Sequence, residues 1–193
     1  MTAPGERAAW RECGEDVTVH EWVRVLGADR IAIGSHVLVD DFVFIDGRAG
    51  MTIGSWVHIS MFASIHGGGT ARIGDFVNVA AGARLITGTD TFDGTALAGA
   101  PVPDEFRAVD RGTIVLEDHV MLATNAVVLT DITIGEGAVI GAGSVVTADI
   151  PPWTVAFGQP ARPQRDRPRE RVLELAAALR AGREPPPARP AGD

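Results

Sequence analysis

The chain has 193 residues, of which 46% are hydrophobic, and a formal net charge of -8 at pH 7. The excess of acidic residues disfavours a general affinity for nucleic acid, and no apolar run approaches the roughly 18 residues of a membrane helix. A single cysteine, Cys13, excludes a disulfide framework and a cysteine-based metal site. Lysine and tyrosine are absent, so chemistry that depends on either side chain is excluded as well.

The N-terminal residues 1–12 are predicted to be a lead-in to the folded domain. They contain no apolar stretch of the kind that a signal peptide carries, which predicts a cytoplasmic protein. Cys13 follows at the first position of a hydrophobic repeat. We therefore expect its side chain to be a small core hydrophobe and not a nucleophile.

Between residues 13 and 165 an aliphatic residue recurs at six-residue spacing, as in Ile33, Val39 and Ile45. Neither an amphipathic helix nor a hairpin sheet has this period. It is typical of a hexapeptide-repeat parallel β-helix, in which one unit buries its apolar face only by stacking on the next. Three hexads and a two-residue extension give about 20 residues per coil before the loop, and the coil shortens to about 18 after it. The sequence therefore predicts a triangular prism.

Residues 87–112 interrupt the repeat with a stretch rich in Gly, Asp, Thr and Pro, in which Phe92 and Phe106 are apolar anchors. A structureless segment of this length inside a compact domain is uncommon and is usually functional. We therefore predict that it forms a wall of the active site, the alternative being a tolerated surface insertion. Since Ile65 and Leu85 should share a column, His66 should lie at the corner beneath the start of this loop.

The C-terminal residues 166–193 are predicted to form a short helix and a tail. Residues 170–180 (ERVLELAAALR) have helical spacing with one apolar face, and we expect this helix to pack on the solenoid or on a neighbouring subunit. Residues 184–193 are rich in proline and alanine, which predicts disorder.

The repeats, the loop and the sequence IGEGAVIGAGSVVTADIPPWTVAFGQPAR at 134–162 resemble the left-handed β-helix hexapeptide acyltransferases. Within that superfamily the chain resembles sugar acetyltransferases that acylate nucleotide-linked amino sugars, and more distantly the galactoside and maltose O-acetyltransferases. The resemblance implies an all-β, left-handed parallel β-helix with an inserted loop and a short C-terminal α-helix. It also implies a homotrimer, with acetyl-CoA as the acyl donor in the groove between two subunits.

Three functions remain open under this resemblance. The first is N-acetylation of a nucleotide-linked amino sugar, the second is O-acetylation of a sugar hydroxyl, and the third is a non-catalytic trimeric scaffold. A γ-class carbonic anhydrase would share the prism, but it needs three histidines on a zinc ion. Two of them should be five residues apart, and no pair in this chain has that spacing, so no metal site is predicted.

Transfer of an acyl group from a thioester requires a base for the proton that the acceptor loses. His66 is a candidate because of its predicted place beneath the loop. His58 is a second candidate because the segment HISMF resembles a recurring histidine position of the amino-sugar acetyltransferases. The remaining histidines are predicted to lie on a solvated face or far from the loop, and these are His20, His36 and His119.

Asp90 is a third catalytic candidate. It stands where the galactoside-type enzymes carry a catalytic histidine, and the sequence TDTFDG resembles an acidic motif of the amino-sugar branch. A carboxylate there suits a substrate that arrives as an ammonium ion, since it can hold the cation and help to remove its proton. Asp93 is the second choice for this role, and a turn-capping function is the alternative for either residue.

The resemblance also assigns residues to acetyl-CoA. Thr124 and Ala142 match positions where small side chains let the pantetheine arm run along the stacked coils. Thr147 matches a contact to the cofactor, and Arg162 and Arg165 match basic residues near its phosphates. The alternative is structural, because a β-helix demands small residues at such positions and the arginines belong to an arginine-rich tract.

Overall fold

The computed structural model, described for residues 9–185 and for residue 187, is a parallel β-helix followed by one α-helix. The predicted lead-in falls largely on residues 1–8, and the predicted disordered tail largely on residue 186 and residues 188–193; both sets lie outside the described residues. In chain order the strands and the helix are β1 Glu12–Cys13, β2 Val17–Val19, β3 Arg24–Leu26, β4 Ile31–Ile33, β5 Val37–Val39, β6 Phe44–Asp46, β7 Met51–Ile53, β8 His58–Ile59, β9 Ser64–His66, β10 Thr70–Ile73, β11 Asn78–Val79, β12 Arg84–Ile86, β13 Gly88–Asp90, β14 Val109–Arg111, β15 Thr113–Leu116, β16 Met121–Leu122, β17 Val127–Val128, β18 Ile132–Ile134, β19 Val139–Ile140, β20 Val145–Val146, β21 Thr154–Gly158, β22 Ala161–Asp166 and α1 Glu170–Arg180.

Three sheets form the walls of the prism. Wall A has the strand order β1-β4-β7-β10-β15-β18, wall B has β2-β5-β8-β11-β16-β19-β21-β22, and wall C has β3-β6-β9-β12-β17-β20. Pairing between coils is parallel, and only the terminal pair β21–β22 is antiparallel within these walls. The register shifts by 20 residues per coil in the first half, as in Ile31 to Met51, and by 18 in the second, as in Ile114 to Ile132. The predicted fold class and both coil lengths are confirmed.

The interior of the prism is filled by the aliphatic residues of the repeat. Ile45, Ile59 and Leu85 have no exposed surface, and this continuous apolar column is the main source of stability. Cys13 differs from the prediction: it is exposed. It occupies an inward position of the first coil, but within residues 9–185 no further coil stacks on that side, so the prediction of a core cysteine is wrong.

Corner AB, which joins wall A to wall B, carries a ladder of aromatic rings in successive coils. The rings of Trp56 and Phe76 stack at 6.2 Å, and those of Phe76 and His119 at 5.0 Å. Helix α1 packs against this corner, since Arg180 lies over the Phe76 ring at 4.8 Å and its Nη2 bonds Asp75 Oδ2 at 2.7 Å. The helix therefore packs on the solenoid of its own chain, which is one of the two arrangements predicted.

His119 is buried in this ladder, with only 5% of its surface exposed. Its ring lies between those of Phe76 and Trp153, and Arg167 Nη1 donates a hydrogen bond to its carbonyl oxygen at 3.0 Å. The prediction of a solvated histidine is wrong here. The hexapeptide position does point outward, but the chain that follows the last coil folds back and covers it.

The loop leaves the prism at corner CA, where wall C meets wall A. It begins after β12, returns at β15, and is closed at its base by the antiparallel pair β13–β14. His66 is the register partner of Ile86, and its carbonyl oxygen accepts a hydrogen bond from the backbone N–H of Thr87 at 2.7 Å. His66 thus lies directly beneath the start of the loop, as its place in the repeat predicts.

Candidate functional site

Corner BC, between walls B and C, brings a column of short side chains together along the prism. We call it the BC column: it consists of the residues that directly follow the last inward position of wall B in six successive coils, which are His20, Asp40, Ser60, Ala80, Ala123 and Gly141. In the last strand of the wall the same position is Phe157, which lies next to Gly141. Each backbone N–H of the column donates to the inward residue of the next coil, as from Ser60 to Val79 at 2.8 Å. The column is polar at its N-terminal end and consists of small residues at its C-terminal end.

His58 lies beside this column with an acidic partner. It projects outward from β8, one coil from Leu38 and one coil from Asn78. Its Nε2 is 2.9 Å from Asp40 Oδ2, and Ser60 Oγ donates to the same oxygen at 3.2 Å. The Asp40 side chain is 18% exposed, while that of His58 is 41% exposed. Burial alone would raise the pKa of Asp40, but the hydrogen bond and positive charge of His58, with the Ser60 hydroxyl, outweigh it and lower that pKa below its usual range.

His66 occupies corner CA without a comparable partner. Its ring is half-buried and lies 6.3 Å from that of Phe44. The neighbouring acid, Asp46, is already bound by the guanidinium of Arg48 through two contacts of 2.8 Å. The hydrogen bond from Arg48 is the main cause that lowers the pKa of Asp46, and the positive charge of His66 adds to it. The carboxylate is thus paired mainly with Arg48.

Asp90 is engaged within the loop itself. Its Oδ1 accepts from Arg107 Nε at 2.9 Å, and its Oδ2 accepts from the backbone N–H of Gly99 at 2.9 Å. The Arg107 hydrogen bond, followed by that of Gly99, lowers the pKa of Asp90. Asp93 caps a turn by accepting from both the backbone and the hydroxyl of Thr95. In this chain both carboxylates hold the loop together, and a contact of Asp90 with a substrate remains a prediction.

The residues predicted to bind acetyl-CoA fall into separate groups. Thr124 and Ala142 are exposed neighbours at corner BC, joined through the bond from Gly143 N–H to the Thr124 carbonyl at 2.9 Å. Thr147 is exposed after β20, at the opposite end of wall C. Arg162 and Arg165 are exposed on β22, beyond the last coil of wall B. One chain therefore groups Thr124 with Ala142 and Arg162 with Arg165, and leaves Thr147 apart at the far end of wall C.

A second aromatic ladder was missed by the sequence reasoning. At corner BC the rings of Trp22 and Phe42 stack at 6.4 Å and those of Phe42 and Phe62 at 5.3 Å, and all three residues are more than half exposed. The signal was present in the sequence, because the three aromatic residues follow one another at intervals of 20 residues. The ladder occupies the N-terminal coils of the same corner that carries Thr124 and Ala142.

Over residues 9–185 and 187 there is no group of three or more His, Cys, Asp or Glu side chains arranged to hold a metal ion. In the same part of the chain no helix has the length and apolar character needed to cross a membrane.

Comparison with known proteins agrees with the repeat and with the coils seen in the structure. Residues 113–148 match the family described as bacterial transferase hexapeptide (six repeats). The match and the structure agree that this part of the chain is a β-helix built of hexapeptide repeats. The match to the family model covers the 18-residue coils that follow the loop, where the repeat is most regular.

Curated relatives of this hexapeptide-repeat protein include an acyltransferase and an N-acetyltransferase. It is 33% identical over 96 residues to the dTDP-4-amino-4,6-dideoxy-D-glucose acyltransferase of Escherichia coli, with 50% of each chain covered. It is 35% identical over 85 residues to a 2,3,4,5-tetrahydropyridine-2,6-dicarboxylate N-acetyltransferase of Staphylococcus aureus, with 43% of this chain and 36% of the relative covered. The chain thus spans half the length, or less, of these relatives.

A solved structure is similar over most of the chain. A point mutant of AntD, an N-acyltransferase from Bacillus cereus, in complex with dTDP-4-amino-4,6-dideoxyglucose and coenzyme A, superposes with a TM-score of 0.84 at 28% identity. The superposition covers 90% of this chain and 91% of AntD. It therefore includes the solenoid coils on both sides of the loop.

Proposed function

We propose that this hexapeptide-repeat protein is an acyl-CoA-dependent acetyltransferase that acylates the amino group of a nucleotide-linked sugar. The observation that carries the proposal is the similarity to AntD over 90% of the chain, since that enzyme was solved with both a dTDP-linked amino sugar and coenzyme A. The similarity to a dTDP-amino-sugar acyltransferase from Escherichia coli supports the same substrate class.

Acetyl-CoA is proposed to lie along corner BC. Ala123 and Gly141 of the BC column, with Thr124 and Ala142 beside them, leave the corner free of large side chains over two coils, which suits a slender pantetheine arm. Arg162 and Arg165 are exposed beyond the last coil, where guanidinium groups can pair with the phosphates of the cofactor. Thr147 is proposed as a further contact.

The active form is proposed to be a homotrimer with acetyl-CoA between two subunits. The separation of Thr147 and His66 from Thr124 and Ala142 supports this, because two copies placed side by side can bring both sets of residues to one groove. The loop also carries apolar side chains that a second copy could cover: Phe92 is 89% exposed and Leu97 is 61% exposed. Since both proposed substrates are cytoplasmic metabolites, we place the protein in the cytoplasm.

The proton released by the amine is proposed to pass to one of three groups, His66, His58 or Asp90. His66 lies beneath the loop, His58 lies beside the BC column, and Asp90 lies within the loop. Direct attack by the amine on the thioester requires no protein nucleophile, which is compatible with a chain whose only cysteine lies in the first coil, remote from these groups along the prism.

The proposal is tested by following thiol release from acetyl-CoA with the purified full chain. One arm supplies a dTDP-linked 4-amino sugar, a second supplies the corresponding sugar nucleotide with a hydroxyl in place of the amine, and a third contains no acceptor. We expect turnover in the first arm, with acetylated sugar identified by mass spectrometry. Turnover confined to the hydroxyl sugar would replace N-acetylation by O-acetylation, and a chain that binds no coenzyme A in calorimetry would be no acyltransferase.

A further inference from the structure

We infer that His58 is the acid–base group of this site and that Asp40, which nothing in the sequence singled out, is the residue that positions it. The inference rests on the proposed function, because it names the device that moves the proton in that reaction. It starts from the contact between His58 Nε2 and Asp40 Oδ2 at 2.9 Å. The two residues are 18 positions apart and meet only because their coils stack.

The contact assigns the two ring nitrogens of His58 to different tasks. An ionised carboxylate accepts hydrogen bonds and donates none, so the proton in this contact belongs to Nε2. In the neutral ring the lone pair then lies on Nδ1. The Asp40 side chain is 18% exposed and that of His58 is 41% exposed, so the carboxylate is the more shielded member of the pair and the ring stays accessible.

Ser60 completes the arrangement from the next coil. Its hydroxyl donates to the same Asp40 oxygen at 3.2 Å. The carboxylate is thereby held by two donors, one of which is the imidazole. A hydrogen-bonded carboxylate behind a histidine fixes its tautomer and orientation and stabilises the imidazolium that forms when the ring takes up a proton.

The other histidines of the described chain lack this combination. His20 is 3.7 Å from Asp41, beyond hydrogen-bond distance. His36 pairs with Asp16 at 3.2 Å, but that carboxylate is 76% exposed and the ring is stacked on Trp56 at corner AB, away from the BC column. His66 has no acid of its own, since Asp46 is bound by Arg48.

The place of the pair in the fold also suits the reaction. Within the BC column, Asp40 and Ser60 are followed by Ala80, Ala123 and Gly141 in successive coils. The small residues lie between Phe157 at one end and the hydrogen-bonded group of Ser60, Asp40 and His58 at the other. An acyl group that moves along these small residues would reach the exposed edge of the imidazole. The small residues alone would not establish a site, and the contact between Asp40 and His58 is the second, independent observation.

The proposed step is balanced in atoms and charge. The neutral amine of the acceptor attacks the thioester carbonyl, so that a C–N bond forms and the C–S bond breaks. Nδ1 of His58 takes the proton that the amine loses, and the resulting imidazolium is stabilised by the Asp40 carboxylate. The imidazolium then gives this proton to the departing thiolate of coenzyme A, which regenerates the neutral ring.

Kinetics of four variants test the assignment, with acetyl-CoA saturating and the amino sugar varied. We expect His58→Asn to lower kcat by a factor of about one hundred or more, the usual contribution of a positioned acid–base group. Asp40→Asn should lower kcat by a factor of about ten to one hundred, with the KM for the amino sugar unchanged. Ser60→Ala should lower kcat less than Asp40→Asn, because Asp40 keeps its contact with His58. His36→Asn is the matched control, since it removes an exposed histidine at corner AB, and it should stay within a few-fold of wild type.

A conservative variant separates positioning from a structural role. Asp40→Glu keeps a carboxylate that can accept from the imidazole, so it should retain more of the wild-type kcat than Asp40→Asn. An equally low kcat in both variants would make Asp40 a structural residue and overturn the inference, as would a normal kcat in His58→Asn. Free imidazole should partly restore His58→Ala, which a misfolded variant would not allow.

One measurement is independent of turnover. Nitrogen-15 NMR of the wild-type imidazoles should show His58 with its proton on Nε2, and Asp40→Asn should reduce the population of that tautomer. A proton on Nδ1 in the wild type would overturn the pairing whatever the substrate. If the pairing is found and no amino sugar is acylated, the proposed function fails and the assignment of His58 as its base fails with it.

Discussion

Replacement of His119 by phenylalanine tests how the burial of His119 at corner AB affects the free energy of unfolding. The His119 ring stacks on Phe76 at 5.0 Å with an interplanar angle of 9°, and Phe76 shows that a phenylalanine is accepted one coil away in the same ladder. His119→Phe therefore keeps an aromatic ring in the stack and removes the imidazole, which titrates near neutral pH, whereas a phenylalanine ring does not titrate.

The expected effect follows from the direction of the pKa shift. Burial lowers the pKa of His119 below its ordinary value of 6.5, and the nearby acids Asp118 and Glu136 oppose this shift without cancelling it. Between the lowered pKa and 6.5 the unfolded chain binds more protons than the folded chain, so the free energy of unfolding falls as the pH falls through this window. One proton corresponds to a slope of at most about 1.4 kcal/mol per pH unit. Well above 6.5 the group makes no pH-dependent contribution.

Urea unfolding at a fixed protomer concentration, followed by tryptophan fluorescence from about pH 8 to about pH 5, measures this slope. We expect the difference in the free energy of unfolding between wild type and His119→Phe to be constant at alkaline pH. Below about pH 6.5 the wild type should lose stability relative to the variant. His36→Phe is the matched control, because it replaces an exposed histidine of the same ladder. Parallel curves for wild type and His119→Phe would refute the reasoning.

Two further predictions concern the loop and the helix. Asp90→Asn and Arg107→Ala each weaken the 2.9 Å contact between these residues, and Asp90→Asn also weakens the bond from Gly99. We therefore expect more proteolytic cleavage within residues 87–112 in both variants, at least as much in Asp90→Asn as in Arg107→Ala, and no further increase in the double variant over Asp90→Asn. A higher KM for the amino sugar in Asp90→Asn alone would instead show that Asp90 contacts the substrate. Arg180→Ala removes the ion pair with Asp75 and the cation over the Phe76 ring, contacts worth about 0.5–1 kcal/mol each at exposed sites, so amide exchange in α1 should become several-fold faster. Arg183→Ala is the control for the helix, and unchanged exchange in Arg180→Ala would contradict the proposed docking.

The repeat was predictable because it is a local pattern with a fixed spacing. Inward residues such as Ile59 and Leu85 follow from the period of six, and the position of the loop follows from its interruption. The location of His66 at the loop exit also follows, since Ile65 and Leu85 occupy one column and the residue after each must lie at the same corner. Stacking a regular coil converts sequence spacing directly into spatial position.

Contacts between coils were not predictable in the same way. The six-residue period predicts that His58 faces outward. It does not predict that the ring contacts Asp40 in one neighbouring coil and not Asn78 in the other. The partner of Asp90 was equally hidden, because Arg107 lies 17 residues away in a segment without any repeat. Side-chain direction within a column depends on which neighbours can donate or accept a hydrogen bond, and this is known only once the coils are stacked.

The sequence alone determined the prism, its coil lengths, the inserted loop and the terminal helix, because each is specified by spacing along the chain. Only the tertiary structure decided what covers each surface. Cys13 has an inward repeat position and is exposed because it lies in the first coil, whereas His119 has an outward one and is buried because Trp153, Arg167 and helix α1 return to corner AB. Burial depends on the segments that meet at a residue, and in both cases those segments lie outside the repeat that sets its orientation.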